Sequence, residues 1–338
     1  MLLIDLPTDI LTLLPGYLES LDDLHSLILT SRELYATTSK PTPSVVYSLA
    51  TSPYTGIQPY PHLFIAIKAR TLADWAVQSS ENRERLFDAI NTGGPSGVLD
   101  LALSVSPITL NDLAFLRHTR TSILEPAIKY LETKCGPSDE IDPSFTVCHN
   151  VTLLLTNYWI YCDLFYHNIT APVFRHTAGL QPLKPLGNET RLKWVYHFLP
   201  DCNADPPVAG GYDMIEMNKL LDEGLEETFI KFLIPPPWHE MQLFRNRFFR
   251  SACYAGLASV QLVHMVYIKD DLTPEQTKSL WPEEIKELAA AFGALDENQL
   301  SELYGPLPWD REGNFIHLEE ADGWMGLQSD LYRLLNWD

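Results

Sequence analysis

Residues 145–167, Phe-Thr-Val-Cys-His-Asn-Val-Thr-Leu-Leu-Leu-Thr-Asn-Tyr-Trp-Ile-Tyr-Cys-Asp-Leu-Phe-Tyr-His, are apolar nearly all round. A helix without a polar face belongs in the middle of a protein, so this run predicts a central helix wrapped by others. The wrapping segments carry the helical period too. Residues 62–78 put Leu63, Ile67, Leu72 and Trp75 near one face, and 81–90 follow Ser80 as a cap and close at Gly93-Gly94. Two more helices are expected over 95–105 and 109–134, the second bent or broken at Pro126 and stopped at Gly136. Further helices are read over 188–199, 212–233 and 238–269, the last rich in aromatics. Thr273-Pro274-Glu275-Gln276 is a capping box, a helix runs from 282 through Phe292, and an apolar helix closes the chain around 331–337. Loops are expected at 137–143, at 171–187 with its three prolines, and at 205–211. Strand patterns are nearly absent and no period of 20 to 50 residues repeats. The expected fold class is therefore all-α: an N-terminal three-helix element followed by a large irregular helical domain.

The N-terminal element reads as follows. Ile10, Leu11, Leu13, Leu14, Tyr17 and Leu18 make one wide apolar stripe, and Leu24, Leu27 and Ile28 a second. Asp5 or Thr8 caps the first helix, Pro7 sits harmlessly in its opening turn, and Asp22 and Ser31 stand where the next two caps belong. Pro15, late in the first helix, should kink or end it. Some forty residues rarely make a self-sufficient core, so the apolar excess must pack on the rest of the chain or on another protein. The turn formers Lys40-Pro41-Thr42-Pro43 and those over 51–61 mark a boundary, which gives 1–40 as the element, 41–61 as a Pro-rich connection and 62–338 as the body.

The positions Leu6-Pro7, Asp9-Ile10-Leu11, Leu14, Leu18, Asp23-Leu24 and Ser31-Arg32-x-Leu34 resemble the F-box family. The body resembles, more loosely, the helical C-terminal regions of fungal F-box-like proteins. The resemblance implies a substrate receptor that docks a Skp-type adaptor within a cullin ubiquitin ligase and recruits an unidentified protein substrate. The adaptor would be met by Leu6, Pro7, Ile10, Leu11, Leu14, Leu18, Leu24 and Leu27.

Charge and composition narrow the partners. Lys plus Arg total 24 against 44 Asp plus Glu, a net charge of −20. That repels phosphate backbones and anionic lipid, so neither nucleic acid nor membrane is an expected partner. The chain opens on no basic and apolar leader and has no run of 18 uncharged apolar residues, which is read as a cytoplasmic or nuclear protein. The five cysteines are scattered and never spaced C-x-x-C, so neither disulfides nor a zinc site are expected. The three N-x-T sequons at Asn150, Asn168 and Asn188 are read as accidental.

Catalytic motifs are sparse. His239-Glu240 begins like H-E-x-x-H, but Leu243 occupies the second ligand's place. Asp270-Asp271 looks superficially like a magnesium-binding acidic motif, yet no second motif accompanies it and a helix terminus is the simpler reading. Glycine-rich nucleotide loops and the G-x-S-x-G elbow are absent, and no metal or cofactor is expected. The alternative to an adaptor-binding receptor is a cofactor-independent enzyme of cyclase or pericyclase type, of fungal secondary metabolism, acting on a small apolar metabolite. Its pocket would be lined by Tyr158, Trp159, Tyr161, His167, Trp238, His239, Tyr254, His264 and Tyr267, positioning and hydrogen bonding alone doing the chemistry. Ordinary core packing is the plain explanation of the same aromatics.

Overall fold

The computed structural model describes residues 3–53, 57, 59–129, 151–181, 183–198, 256–258, 260–261, 281–296 and 298–299. The fold is all-α, with no strand among the described residues. The helices read over 212–233, the capping box at Thr273, the 331–337 helix, most of 238–269 and the loops at 137–143 and 205–211 lie outside them.

The first residues form a 3-10 turn, Leu3–Asp5, followed by α1, Thr8–Leu11. Pro15 does interrupt the first helix. The α-helical hydrogen bonds stop at Leu11, and the chain restarts as a second 3-10 turn, Leu14–Tyr17, with Pro15 in its first turn where the absent N–H is not missed. Neither Asp5 nor Thr8 caps α1. Pro7 holds the N-cap position and makes no side-chain cap. The cap of α2, Leu21–Thr30, is Ser20 and not Asp22: the Ser20 hydroxyl accepts from the Asp23 amide at 3.1 Å, and Asp22 sits inside the first turn beside the positive helix end. Ser31 caps α3, Arg32–Thr38, as its spacing predicts, accepting from the Leu34 amide at 3.2 Å. Helix α3 packs on both α1 and α2, burying Leu11, Leu24 and Leu34.

The stretch after it is not simply a connection. Pro43 opens α4, Pro43–Ala50, whose Val46, Leu49 and Ala50 are buried in the core. Proline at a helix start is also how the loop expected over 171–187 gives way: Pro172 opens α10, Ala171–Thr177, behind the single turn α9, Tyr166–Ile169.

The body is built on α5, His62–Ala76, and α8, Val151–Leu164, which pack along each other. Helix α6, Ser80–Val105, lies against α5, and α11, Asn188–Phe198, lies against α6. The cap of α6 is Ser79, one residue before Ser80; its hydroxyl accepts from the Asn82 amide at 3.0 Å. The expected stop at Gly93-Gly94 survives as a sharp break inside α6. Gly94 takes φ 55° and ψ −146°, a conformation closed to residues with a Cβ, and Pro95 starts the second half. Helix α7, Leu110–Thr119, begins with a reciprocal capping box between Thr109 and Asp112. It runs into a π-turn, Arg120–Leu124, before helical backbone continues through residue 129. The π-turn lies just before Pro126, where the ladder lacks a donor, so the distortion expected at the proline falls in the turn preceding it.

Of the run 145–167, residues 151–164 form the central helix, with Leu154, Leu155, Tyr158, Ile160, Tyr161 and Leu164 all buried; it ends before Phe165, and 145–150 lie outside the described residues. Tyr161, Phe165, Trp194 and Phe198 form one ring cluster joining α8 to α11, with Trp194 and Phe198 stacked at 5.1 Å. Each such ring contributes on the order of 2–3 kcal/mol through burial. One buried ion pair pins α7 to α5. Lys68, 4% exposed, meets Asp112 at 2.8 Å, and the pair with the capping box holds the Asp112 carboxyl below its ordinary range against the opposing effect of burial. Helix α12, Glu283–Gly293, covers α10 with Ile285 and Leu288 inward.

Candidate functional site

Two places stand out, and the first is the outer face of the N-terminal element. Its helices are too short to bury two apolar stripes, and the three inward leucines, Leu11, Leu24 and Leu34, leave the rest uncovered. Of the ten large apolar side chains exposed among the described residues, six belong to residues 3–35. They are Leu3, Ile10, Leu13, Tyr17, Leu29 and Tyr35, and Tyr17 and Leu29 are 82% and 71% exposed. Such side chains scattered singly need no explanation, but this concentration on mutually packed short helices does.

The eight adaptor-facing residues named from sequence divide accordingly. Pro7 and Ile10 are exposed, Leu6, Leu14, Leu18 and Leu27 are half-buried, and Leu11 and Leu24 point inward. Leu11 and Leu24 therefore hold the element together and do not belong to its outer face; helical period alone does not say which side of a wide stripe turns in. Leu3, Leu13, Tyr17, Leu29 and Tyr35 are the exposed residues outside the adaptor-facing set read from sequence.

The second place is an open cleft of about 760 Å³ in the body. Its walls come from α5, α7, α8, the 257–261 segment and α12, so it lies beside the central helix and residues of the aromatic-rich 238–269 run. The chain passes close to α8 there because Gly256, at φ 61°, has no Cβ; a Cβ would sit 3.4 Å from that of Cys162. At the floor Arg70 donates to the Asp163 carboxylate from Nε at 3.1 Å and Nη2 at 2.6 Å, and reaches Glu284 at 3.5 Å. Its guanidinium lies over the Tyr166 ring, 3.6 Å from the centroid. The other Asp163 oxygen accepts from the Trp159 indole at 2.6 Å, and Phe115 meets Trp159 edge-on at 6.4 Å.

Burial lifts the Asp163 carboxyl above its ordinary range, with Arg70 offsetting part of the effect. Glu284 is raised by burial as well, again against Arg70 and with Asp163 adding to the lift. Arg70 is stabilised as a cation: burial opposes its charge most strongly, and Asp163, Glu284 and Tyr166 together outweigh it.

Only Trp159 of the aromatic pocket residues named from sequence lines this cleft. Tyr158 and Tyr161 are buried in the core, the Tyr161 hydroxyl accepting from Arg191 at 2.8 and 3.1 Å. His167 faces Asp74, its Nε2 2.7 Å from Oδ1, while its Nδ1 meets the Arg175 guanidinium. Those partners fix a neutral ring that donates from Nε2 and accepts at Nδ1, and burial holds its pKa down. Trp238, His239, Tyr254, His264 and Tyr267 lie outside the described residues. Sequence reading passed over Arg70, Asp163 and Glu284, although one signal was present: Asp163 is the sole Asp, Glu, Lys or Arg within the apolar run 145–167. A lone charge on an all-apolar helix needs a partner.

Among the described residues no helix is long and apolar enough to cross a membrane, and no group of three or more His, Cys, Asp and Glu is arranged to hold a metal. No family model, no curated protein and no solved structure matches the chain.

Proposed function

We propose that the chain is an F-box-like substrate receptor whose N-terminal element docks a Skp-type adaptor of a cullin ubiquitin ligase, the body presenting the protein substrate, in the cytoplasm or nucleus. The observation that carries the reading is the crowding of exposed apolar side chains onto residues 3–35. An uncovered set of Leu, Ile and Tyr on short helices is what a helical partner needs as anchors, and it is costly to leave in water without one. Ile10, Pro7, Leu13, Tyr17 and the half-buried Leu6, Leu14, Leu18 and Leu27 form the contact set; Leu11 and Leu24 support it from beneath. Co-expression with a Skp-type adaptor followed by size-exclusion chromatography with light scattering is the test. A one-to-one complex, lost on combining Ile10→Asp with Leu13→Asp while the helical circular dichroism is unchanged, supports the assignment. A folded chain that never associates with the adaptor removes it.

A second reading is favoured by the cleft beside α8, whose volume falls within the usual range for small-molecule sites. On this reading the body is a small-molecule binder or a cofactor-independent enzyme of cyclase or pericyclase type. The Arg70, Asp163 and Glu284 cluster argues against a wholly apolar metabolite, because such a ligand would bury charges without offering them partners. Titrating a panel of small molecules into the isolated chain tests it.

A further inference from the structure

The cleft combines a volume of about 760 Å³, aromatic walls and a negative balance of charge. Among the described residues, three carboxylates, Asp163, Glu284 and Glu287, line it against one lysine or arginine, Arg70. Arg70 is bonded more closely to Asp163 and to the Tyr166 face than to Glu284, 3.5 Å away, and Glu287 meets no lysine or arginine among the described residues. The aromatic walls suit the same ligand. Tyr166 holds a planar cation 3.6 Å from its centre, and Phe115, 51% exposed, presents its ring at the cleft edge-on to Trp159. Thr119, 1% exposed, lies in the wall, and its hydroxyl makes no hydrogen bond to any other described residue. Asp163 and Glu284 are both lifted by burial, so an incoming positive charge would relieve them.

We infer that this cleft binds an organic cation, an ammonium or guanidinium carried on an apolar chain or ring, either free or as the side chain of a basic peptide. The inference rests on the second reading, that the cleft is a ligand site, and names the chemistry that site selects. The carboxylates of Glu284 and Glu287 take the charge, the exposed ring of Phe115, backed by the buried Trp159, takes the apolar part, and the Thr119 hydroxyl accepts one further N–H.

Isothermal titration of the full chain without adaptor tests it, using 4-phenylbutylammonium, neutral 4-phenylbutanol and anionic 4-phenylbutyrate, which share one apolar skeleton. The cation is expected to bind roughly tenfold or more tighter than the alcohol, and the anion weakest. In the double variant Glu284→Gln with Glu287→Gln, which leaves the buried Ile285 and Leu288 of α12 in place, cation affinity falls roughly tenfold while the alcohol is unaffected. Nα-acetyl-arginine amide separates the sources: tighter binding than the free amine assigns the site to a basic side chain, weaker binding to a free amine, and both support a cation site. Equal affinity for the three skeleton probes, or an unchanged cation affinity in the double variant, overturns the cation assignment and leaves a ligand site of other specificity. Absence of binding by every probe overturns both.

Discussion

His62 supplies a sharp prediction about stability. It is the first residue of α5, its Nδ1 is buried without a hydrogen-bonding partner, and its ring packs edge-on against Phe198 at 5.9 Å. Burial lowers its pKa from 6.5 to about 4, and its place at the positive end of a helix acts in the same sense. The folded state therefore keeps the ring neutral while the unfolded chain protonates it near its ordinary pKa. Because the unfolded state binds the extra proton, stability is complete above pH 6.5 and is lost as pH falls toward 4. At pH 5 the two pKa values give a loss of about 2 kcal/mol relative to pH 7 from this residue alone, since each unit of separation is worth about 1.4 kcal/mol. Urea unfolding of wild type and His62→Phe at pH 7 and pH 5 isolates it, because the carboxylates that also titrate are common to both. The wild type should lose about 2 kcal/mol more than the variant across that interval. Parallel pH profiles would show that His62 titrates normally and that the contact with Phe198 does not exclude solvent.

Other perturbations have separate causes. Gly97→Ala puts a Cβ 2.8 Å from the Ala89 carbonyl oxygen at the break in α6, a backbone contact that cannot yield; thermal melts should report a loss of about 1–3 kcal/mol, and an unchanged melting temperature would mean that the break relaxes. Gly94→Ala forces φ 55° on a residue with a Cβ and should cost about 1–3 kcal/mol by denaturant titration. Lys68→Met leaves Asp112 in its capping box without the buried lysine, and chemical denaturation should detect a loss of about 3 kcal/mol. A loss under about 1 kcal/mol would place the pair among solvent-screened ones.

Much of the helical architecture was legible because it depends on local rules. Pro282 ahead of two glutamates, Ser31 as a cap and the apolar run around Tyr158 each fix an element without reference to distant residues. Caps shifted by a residue or two where neighbours competed: Ser20 beside Asp22, and Ser79 beside Ser80, are chemically alike, and only the backbone turn selects between them. The helices at Pro43 and Pro172 were missed for a related reason, since proline marks a helix opening as well as a turn. The cleft was not legible as a site. Arg70, Asp163 and Glu284 are 93 and 121 residues apart along the chain, and only the packing of α5, α8 and α12 gathers them. Which leucines of the N-terminal stripes turn inward was equally hidden, because Leu11 and Ile10 are equivalent to a period count and differ only in what α3 covers.

The reading of residues 3–35 as an adaptor-docking face is tested most directly by hydrogen–deuterium exchange of the full chain with and without a Skp-type adaptor. The account predicts new protection in peptides covering Leu3–Asp5, α1, α2 and α3, with the exchange of α5 and α8 unchanged. Protection confined to the body, or none at saturating adaptor, would contradict it.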